Sequence, residues 1–242
     1  MQQNLFSLNA KPSLSEMYNP ETRDFKRRLE RLSSLARIVE EKLEAQLQTL
    51  DSNVSMVAAT LEGEARDDYI EWHAEDFFTI GDELPTLLRY SILVGAEAAL
   101  ETYISKTCDS YATQAAAKVR YTDLKGAGTD RMRDYLKKVA GMVFPDGGQE
   151  WITMKNLRAI RNAFVHADGA LSTDSRAIRV WSQGFTGLTI SVRGSVTLDV
   201  SFAQNVVSAY LRFANTFDEA SRCIPLVPLF PINEEEEAGK VS

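Results

Sequence analysis

The residues best suited to chemistry are an arginine, an asparagine and a histidine that lie close together in the chain. Arg161 and Asn162 are adjacent, and His166 follows Asn162 by four positions. An arginine guanidinium presents a planar fork of donors that matches phosphate oxygens, and a histidine can transfer protons near neutral pH. Positions four apart share one face of a helix, whereas Arg161 projects about 100° round the helix from Asn162. This set is suited to chemistry on a phosphate.

The same residues also have a purely structural interpretation. Gly169 is a typical helix stop. A histidine in the last turn of a helix is stabilised by the macrodipole and can bind the last carbonyls. For an arbitrary arginine and histidine at this spacing, the structural interpretation is the more frequent one. The functional interpretation therefore depends on the rest of the chain.

The segment from Arg161 to His166 resembles the signature of the HEPN family (higher eukaryotes and prokaryotes nucleotide-binding), in which a polar residue, often Asn, follows the Arg. Two earlier segments, 88–91 and 100–104, resemble the family's first core helix. A hairpin-like stretch and a helix from Phe202 to Phe217 follow the motif, as in several bacterial members. The resemblance extends from near Asp82 to Arg222.

The resemblance implies a metal-independent endoribonuclease that acts as a homodimer, with two motifs lining one cleft. His166 would be the acid or base, Arg161 would stabilise the phosphate charge, and Asn162 would orient the histidine or the phosphate. RNA supplies its own nucleophile, the 2′-hydroxyl, so neither a metal nor another cofactor is required. Glu101 is a candidate to hold Arg161 in place, although an ordinary ion-pair carboxylate is the more frequent role.

The family also implies a biological setting, with RNA degradation in phage defence or in a toxin–antitoxin system and an antitoxin or defence protein as partner. Family toxins that are modified by a small nucleotidyltransferase usually carry Tyr two residues after the His. Asp168 stands at that position here, which puts this form of regulation in doubt. The alternative is a catalytically silent HEPN scaffold or nucleotide-binding adaptor that recruits a partner through its long N-terminal helix.

Composition indicates an ordinary globular protein. Of the 242 residues, 44% are hydrophobic and 25% are charged, which is enough for a sizeable core. No apolar run approaches the roughly 18 to 20 residues of a membrane span, and the first ten residues do not resemble a secretory signal. Cys108 and Cys223 are too few for a disulfide framework. We therefore expect a cytoplasmic protein without a membrane partner.

The charge is unevenly distributed. The net charge is −7, yet the stretch from Lys118 to Arg161 is locally basic. Such a stretch is either a solvated face or a surface for the RNA backbone. The RNA-binding candidates are Lys118, Arg120, Lys125, Arg131, Arg133, Lys137, Lys138, Lys155 and Arg158. For metals, His73 with Glu75 and Asp76 is the single weak candidate, because it lacks the paired histidines of a zinc helix.

The elements that must position the motif are mainly helical. After a flexible lead, 1–20, a long helix is predicted over 21–62, with apolar residues spaced three and four apart. Its stripe requires a long neighbouring helix, either in the same chain or in a second copy. Its members are Phe25, Leu29, Leu32, Ala36, Val39, Leu43, Leu47, Leu50, Val54, Val57 and Leu61.

Further helices are predicted from the N-cap Asp82 to Ala117, from Asp130 to Phe144, over about 150–167, and from Ser201 to Arg222. A short helix is expected within 63–81. Alternating apolar residues within 176–200 predict a β-hairpin element with a turn at Gly194. The acidic tail, 225–242, is predicted to be largely disordered. The predicted fold class is mainly α: a single HEPN-like helical domain, 21–224, with this hairpin before the last helix.

Overall fold

The computed structural model describes residues 19–167, 169–171 and 176–224. The tail, 225–242, and nearly all of the predicted flexible lead lie outside these residues. The described residues form helices and one small hairpin, which confirms the mainly α fold class. The α-helices are α1 (Pro20–Ala58), α2 (Glu64–Trp72), α3 (Ala74–Phe78), α4 (Leu84–Gln114), α5 (Gly128–Lys138), α6 (Gln149–Ala167), α7 (Arg176–Ser182) and α8 (Phe202–Arg222); the strands are β1 (Leu188–Ile190) and β2 (Val196–Leu198).

The chain divides into two compact units. Among the described residues, the first unit contains 19–25, 100–147 and 214–224, and the second contains 26–99, 148–167, 169–171 and 176–213. Each unit is therefore assembled from distant parts of the chain. The prediction of one domain over 21–224 stays a prediction.

The first unit is organised round Tyr103, which is buried in α4. Its ring stacks on Phe25 at a centroid distance of 4.8 Å, and its hydroxyl lies 2.8 Å from Oγ1 of Thr22. The Thr22 hydroxyl donates to Oδ1 of Asp218 at 2.8 Å, which joins α1 to α8 within this unit. Burial raises the pKa of Tyr103 above its ordinary value.

The second unit packs α1 against α4. A Cβ on Gly95 would lie 3.0 Å from the Leu32 side chain, so this glycine permits a close approach of the two helices. Both carboxylate oxygens of Glu40 accept hydrogen bonds from Arg89, at 2.7 and 2.8 Å. Arg89 also donates to the carbonyl of Leu198 at 2.8 Å, which ties the helix pair to the hairpin. The long helix therefore finds its neighbouring helix within the chain.

The predicted apolar stripe of α1 is confirmed at its most buried positions, which are Phe25, Leu29, Ala36, Leu43 and Val54. The prediction is wrong at the end of the helix. Val57 is exposed and Ala58 is buried, because the step after Val54 is four residues rather than three. The helix ends at Ala58, so Leu61 lies beyond it.

Asp82 does not cap α4 as predicted. It lies in a π-helical turn, Thr79–Glu83, which joins α3 directly to α4. The amide of Leu84 donates to the carbonyl of Thr79, five residues earlier. Pro85 has no amide hydrogen for the usual bond, which favours an irregular turn here. Leu84 and Leu87, at the start of α4, are both exposed.

Two helix ends also differ from the predictions. The structure ends α4 at Gln114 rather than Ala117, and the next residue but one, Ala116, has a positive φ of 48°. It ends α5 at Lys138 rather than Phe144, because Gly141 adopts a φ of 67°. Both positions lie in the left-handed region, which terminates a helix.

The hairpin is confirmed in part. β1 and β2 pair antiparallel, with Leu188 opposite Leu198, and Gly194 adopts a φ of 89° in the turn. The predicted hairpin element begins too early, because its first part, 176–182, is the helix α7. At the start of α8, Asp199 accepts hydrogen bonds from both the hydroxyl and the amide of Ser201, and these bonds hold the pKa of Asp199 below its ordinary value.

Candidate functional site

Helix α6 carries the motif, and burial of its opposite side fixes which way the motif points. Trp151, Met154, Leu157 and Ile160 are at most 1% exposed, at helical spacing. The predicted helix over about 150–167 is confirmed, since α6 begins at Gln149 and ends at Ala167. Within the motif, Arg161 is half-buried, whereas Asn162 and His166 are exposed. The two exposed residues are one helical turn apart.

Arg161 and Asn162 are joined by their side chains. Nη1 of Arg161 donates to Oδ1 of Asn162 at 3.0 Å. Nε of Arg161 is buried and has no hydrogen-bond partner among the described residues. The asparagine therefore orients the outer edge of the guanidinium, and it does so from the exposed side of the helix.

His166 occupies the last turn of α6, as both interpretations of the motif require. Its side chain is exposed, and no hydrogen bond joins the imidazole to another residue within the described ranges. The structural interpretation would have the histidine bind the last carbonyls of the helix. Its exposed ring is instead available to solvent and to a ligand.

The end of α6 is held by the hairpin. Gly169 has a φ of 76°, and its amide donates to the carbonyl of Ala163 at 3.1 Å. Its own carbonyl accepts from the amide of Val196 at 3.0 Å, and the amide of Leu171 donates to Gly194 at 2.9 Å. These backbone bonds fix the last turn, on which His166 lies. Asp168, where the family's modified Tyr would stand, lies outside the described residues.

A buried polar network fixes α6 against α4 and α8, and it was not predicted from the sequence. Glu97 of α4 is 4% exposed; it accepts from Nε of Arg158 at 2.5 Å and from the Tyr210 hydroxyl at 2.7 Å. The Arg158 guanidinium also lies 6.0 Å from the ring centre of Trp151. Arg158 was predicted to bind RNA, yet the structure commits its Nε to a buried carboxylate. A glutamate within the apolar run of α4 was the available signal.

Glu101, the predicted support for Arg161, is an exposed residue of the first unit. A Cβ on Gly128 would lie 3.4 Å from its carboxylate. The support for Arg161 described by the structure is Asn162. A role for Glu101 stays a prediction.

Several of the predicted RNA-binding residues have acidic neighbours. Arg133 pairs with Asp130 and Asp134, and Lys138 also pairs with Asp134. Lys137 lies 2.7 Å from Asp146. Arg120 lies 3.7 Å from Asp109. Four of the nine predicted RNA-binding residues therefore already have an acidic partner.

The remaining basic residues differ in their surroundings. Lys118, Lys125 and Lys155 are exposed, and none of them forms an ion pair with another described residue. Arg131 lies over the ring of Tyr121, with 5.7 Å between its guanidinium carbon and the ring centre. The basic residues up to Lys138 belong to the first unit, whereas 155 and 158 belong to the second unit with the motif.

Two residues of the weak metal candidate, His73 and Asp76, contact each other directly. Nδ1 of His73 lies 3.0 Å from the carboxylate of Asp76, and the His73 ring contacts Tyr69 edge-on. Within the described ranges there is no group of three or more His, Cys, Asp or Glu side chains placed to hold a metal ion.

The fold and the site define the class of the protein as mainly α, with an Arg-Asn-x-x-x-His motif on the last two turns of a helix held by a hairpin. Comparisons with protein-family models, with curated proteins and with solved structures found no match. A search of the described helices for one that is both long and apolar enough to span a membrane found none.

Proposed function

We propose that the chain is a metal-independent endoribonuclease of the HEPN type, in which Arg161, Asn162 and His166 act on RNA. The observation that carries the proposal is the arrangement of these side chains at the end of α6. Asn162 and His166 are exposed one turn apart, and Asn162 orients the guanidinium of Arg161 through a 3.0 Å hydrogen bond. A hydrogen-bond donor for phosphate oxygens and a proton-transfer group are thus presented together on one helix.

The proposed reaction needs two proton transfers and one charge-stabilising donor. A base removes the proton from the 2′-hydroxyl, whose oxygen attacks the adjacent phosphorus. The bond from phosphorus to the 5′-oxygen breaks, and an acid protonates that oxygen. The products are a 2′,3′-cyclic phosphate and a 5′-hydroxyl. His166 supplies a proton-transfer group, and Arg161 stabilises the negative charge that builds up on the phosphate oxygens.

The proposed enzyme is a homodimer. Each chain supplies one motif histidine, whereas the reaction uses both a base and an acid. Two motifs that face each other across a two-fold axis provide both groups and two guanidinium forks. We place the dimer in the cytoplasm, in a toxin–antitoxin or phage-defence setting with an antitoxin or defence protein as its partner.

The rival proposal is a catalytically silent HEPN scaffold that recruits a partner through its long N-terminal helix. Leu32 and Glu40 of α1 are engaged with α4 in the same unit. Leu35, Ile38 and Met56 of the same helix are exposed, however, so both functions are compatible with the packing of α1. Cleavage of RNA by the purified chain separates the two functions directly.

The test is incubation of the purified protein with total RNA in EDTA. The chain contains two histidines, which provides a matched control. We expect His166→Ala to abolish cleavage and His73→Ala to retain it, with both variants melting close to the wild-type temperature. Equal cleavage by wild type and His166→Ala, or cleavage that requires a divalent ion, would contradict the proposal.

A further inference from the structure

An apolar groove lies on the surface of the second unit, beside the motif helix. It encloses about 510 Å³ and is lined chiefly by Phe78, Leu84, Leu87, Tyr90 and Phe164. Phe78 is 55% exposed and Leu87 is 58% exposed. Large apolar side chains grouped in this way on a surface mark sites of interaction with another molecule.

The helical segment that leads into the groove has almost no packing of its own. None of the residues of α2, α3 or the π-helical turn is buried. Trp72 is 83% exposed, and Ile70 is also exposed. The nine residues of α2 are too few for a helix that is stable in water without tertiary packing. A partner molecule that covers this surface would supply the missing packing.

The same segment is strongly acidic. Between Glu62 and Glu83 there are nine Asp and Glu and a single basic residue, Arg66, which gives a net charge of −8. All nine acidic side chains are exposed. Among the described residues, none of the nine pairs with a Lys or Arg; the single ion pair of the segment is the contact of Asp76 with His73. This contrasts with the first unit, where Asp130, Asp134 and Asp146 have basic neighbours.

Charge and spacing together define the occupant. A surface of −8 repels a nucleic acid and attracts a cationic ligand. On α4, Leu84, Leu87 and Tyr90 recur every three residues, which forms a ridge along one side of the helix. A groove beside such a ridge accepts the apolar face of an amphipathic helix. Lysine or arginine on the opposite face of that helix would meet the carboxylates.

We propose that this groove, together with the acidic segment 62–83, is the docking site for a basic amphipathic helix of a partner protein. The apolar face of the partner helix covers Phe78, Leu84 and Leu87, and its cationic side chains approach Asp82 and the acidic residues of α2 and α3. The groove adjoins the motif through Phe164 of α6, but its lining does not include Arg161, Asn162 or His166, so either proposal can fail without the other.

The proposal is tested with a synthetic helical peptide of about 18 residues, long enough to form a helix on binding, with leucines along one face and lysines along the other. Binding to the full chain is measured by calorimetry and by the fluorescence of Trp72, at about 0.15 M salt so that distant charges are screened. We expect saturable binding with one peptide per chain. A counterpart peptide with Glu in place of every Lys should not bind.

Matched variants locate the binding. Leu87→Asp and Asp82→Lys should each weaken peptide binding at least about tenfold, as expected for residues central to an interface. Val192→Asp is the apolar control, since Val192 is 93% exposed and lies outside the groove. Asp24→Lys is the charge control, since Asp24 is an exposed residue of the first unit. Both controls should bind the peptide like wild type.

Four results would overturn the proposal. The wild-type chain could fail to bind the lysine peptide, or it could bind the glutamate peptide equally well. The groove variants could bind like the controls while remaining folded by circular dichroism. Light scattering could show that Leu87→Asp dissociates a dimer, which would make a second copy of the chain the occupant of the groove.

Discussion

Nη1 of Arg161 lies 3.0 Å from Oδ1 of Asn162, so two adjacent residues of the motif are joined through their side chains. Adjacent residues on a helix normally diverge by about 100°, and only a long side chain can turn back to its neighbour. Because Nε is buried, this contact leaves Nη2 and the second hydrogen of Nη1 for a ligand. It makes the geometry of the fork, rather than its charge alone, the property to test.

Arg161→Lys should strongly reduce RNA cleavage although the charge is retained. An ammonium group cannot present two parallel donors to a phosphate. We expect a loss of about 2 to 4 kcal/mol of transition-state stabilisation, the range for removing one positioned donor. The measurement is kcat/KM on a defined RNA, with Lys155→Arg of the same helix as a control. Near-normal turnover of Arg161→Lys would make Arg161 a structural residue of α6.

The active protein should be a two-fold dimer. One motif per chain supplies a single imidazole, and the proposed reaction needs a base and an acid. The check is light scattering at micromolar concentration, combined with activity measured on mixtures of wild-type and His166→Ala chains. If each active centre needs the imidazoles of both chains, mixed dimers should be inactive, so activity should fall with the square of the wild-type fraction rather than in proportion to it. A monomer that cleaves RNA would contradict this arrangement.

Substitution of the exposed lysines should change the salt dependence of RNA binding and leave the reaction step intact. Lys118→Ala and Lys125→Ala should each flatten the dependence of log K on log salt concentration, by at most about 0.7 for a contact to single-stranded RNA. Lys137→Ala should have a smaller effect, because Lys137 is already 2.7 Å from Asp146. Larger effects at Lys137 than at Lys125 would show that the ion pair opens when RNA binds.

The buried pair of Glu97 and Arg158 should be important for stability. Removing one member leaves the other as an uncompensated charge, which costs about 3 to 5 kcal/mol for a buried pair. Glu97→Ala and Arg158→Ala should therefore both lower the free energy of unfolding measured in urea. Replacing both residues with leucine should cost less than either single change. A double variant that loses as much as the two single variants added together would show that the two charges are not coupled.

Local signals in the sequence predicted the elements that position the site. The turn residues after Phe144 and the helix stop at Gly169 set the ends of α6, and Gly194 marked the hairpin turn. Such features depend on backbone preferences of a few neighbouring residues. Where apolar spacing was ambiguous, the prediction failed, because the apolar residues between 176 and 182 fit a short helix as well as a strand.

Contacts between distant residues could not be predicted in the same way. Arg158 belongs to the basic stretch when charges are counted along the chain, but its neighbour in space is Glu97, 61 residues earlier. Likewise, Leu84 and Leu87 continue the apolar pattern of α4, yet no element covers them among the described residues of their unit. Burial is decided by which elements meet, and the sequence pattern contains that information only indirectly.

The most direct test of the account uses two matched oligonucleotides in EDTA, one of RNA and one with 2′-deoxy sugars throughout, followed by mass spectrometry of the product ends. We expect the wild-type protein to cleave only the RNA and to leave 2′,3′-cyclic phosphate and 5′-hydroxyl ends. The His166→Ala variant should cleave neither strand. Cleavage of the deoxy strand, or products with 5′-phosphate ends, would contradict attack by the 2′-hydroxyl and with it the proposed function.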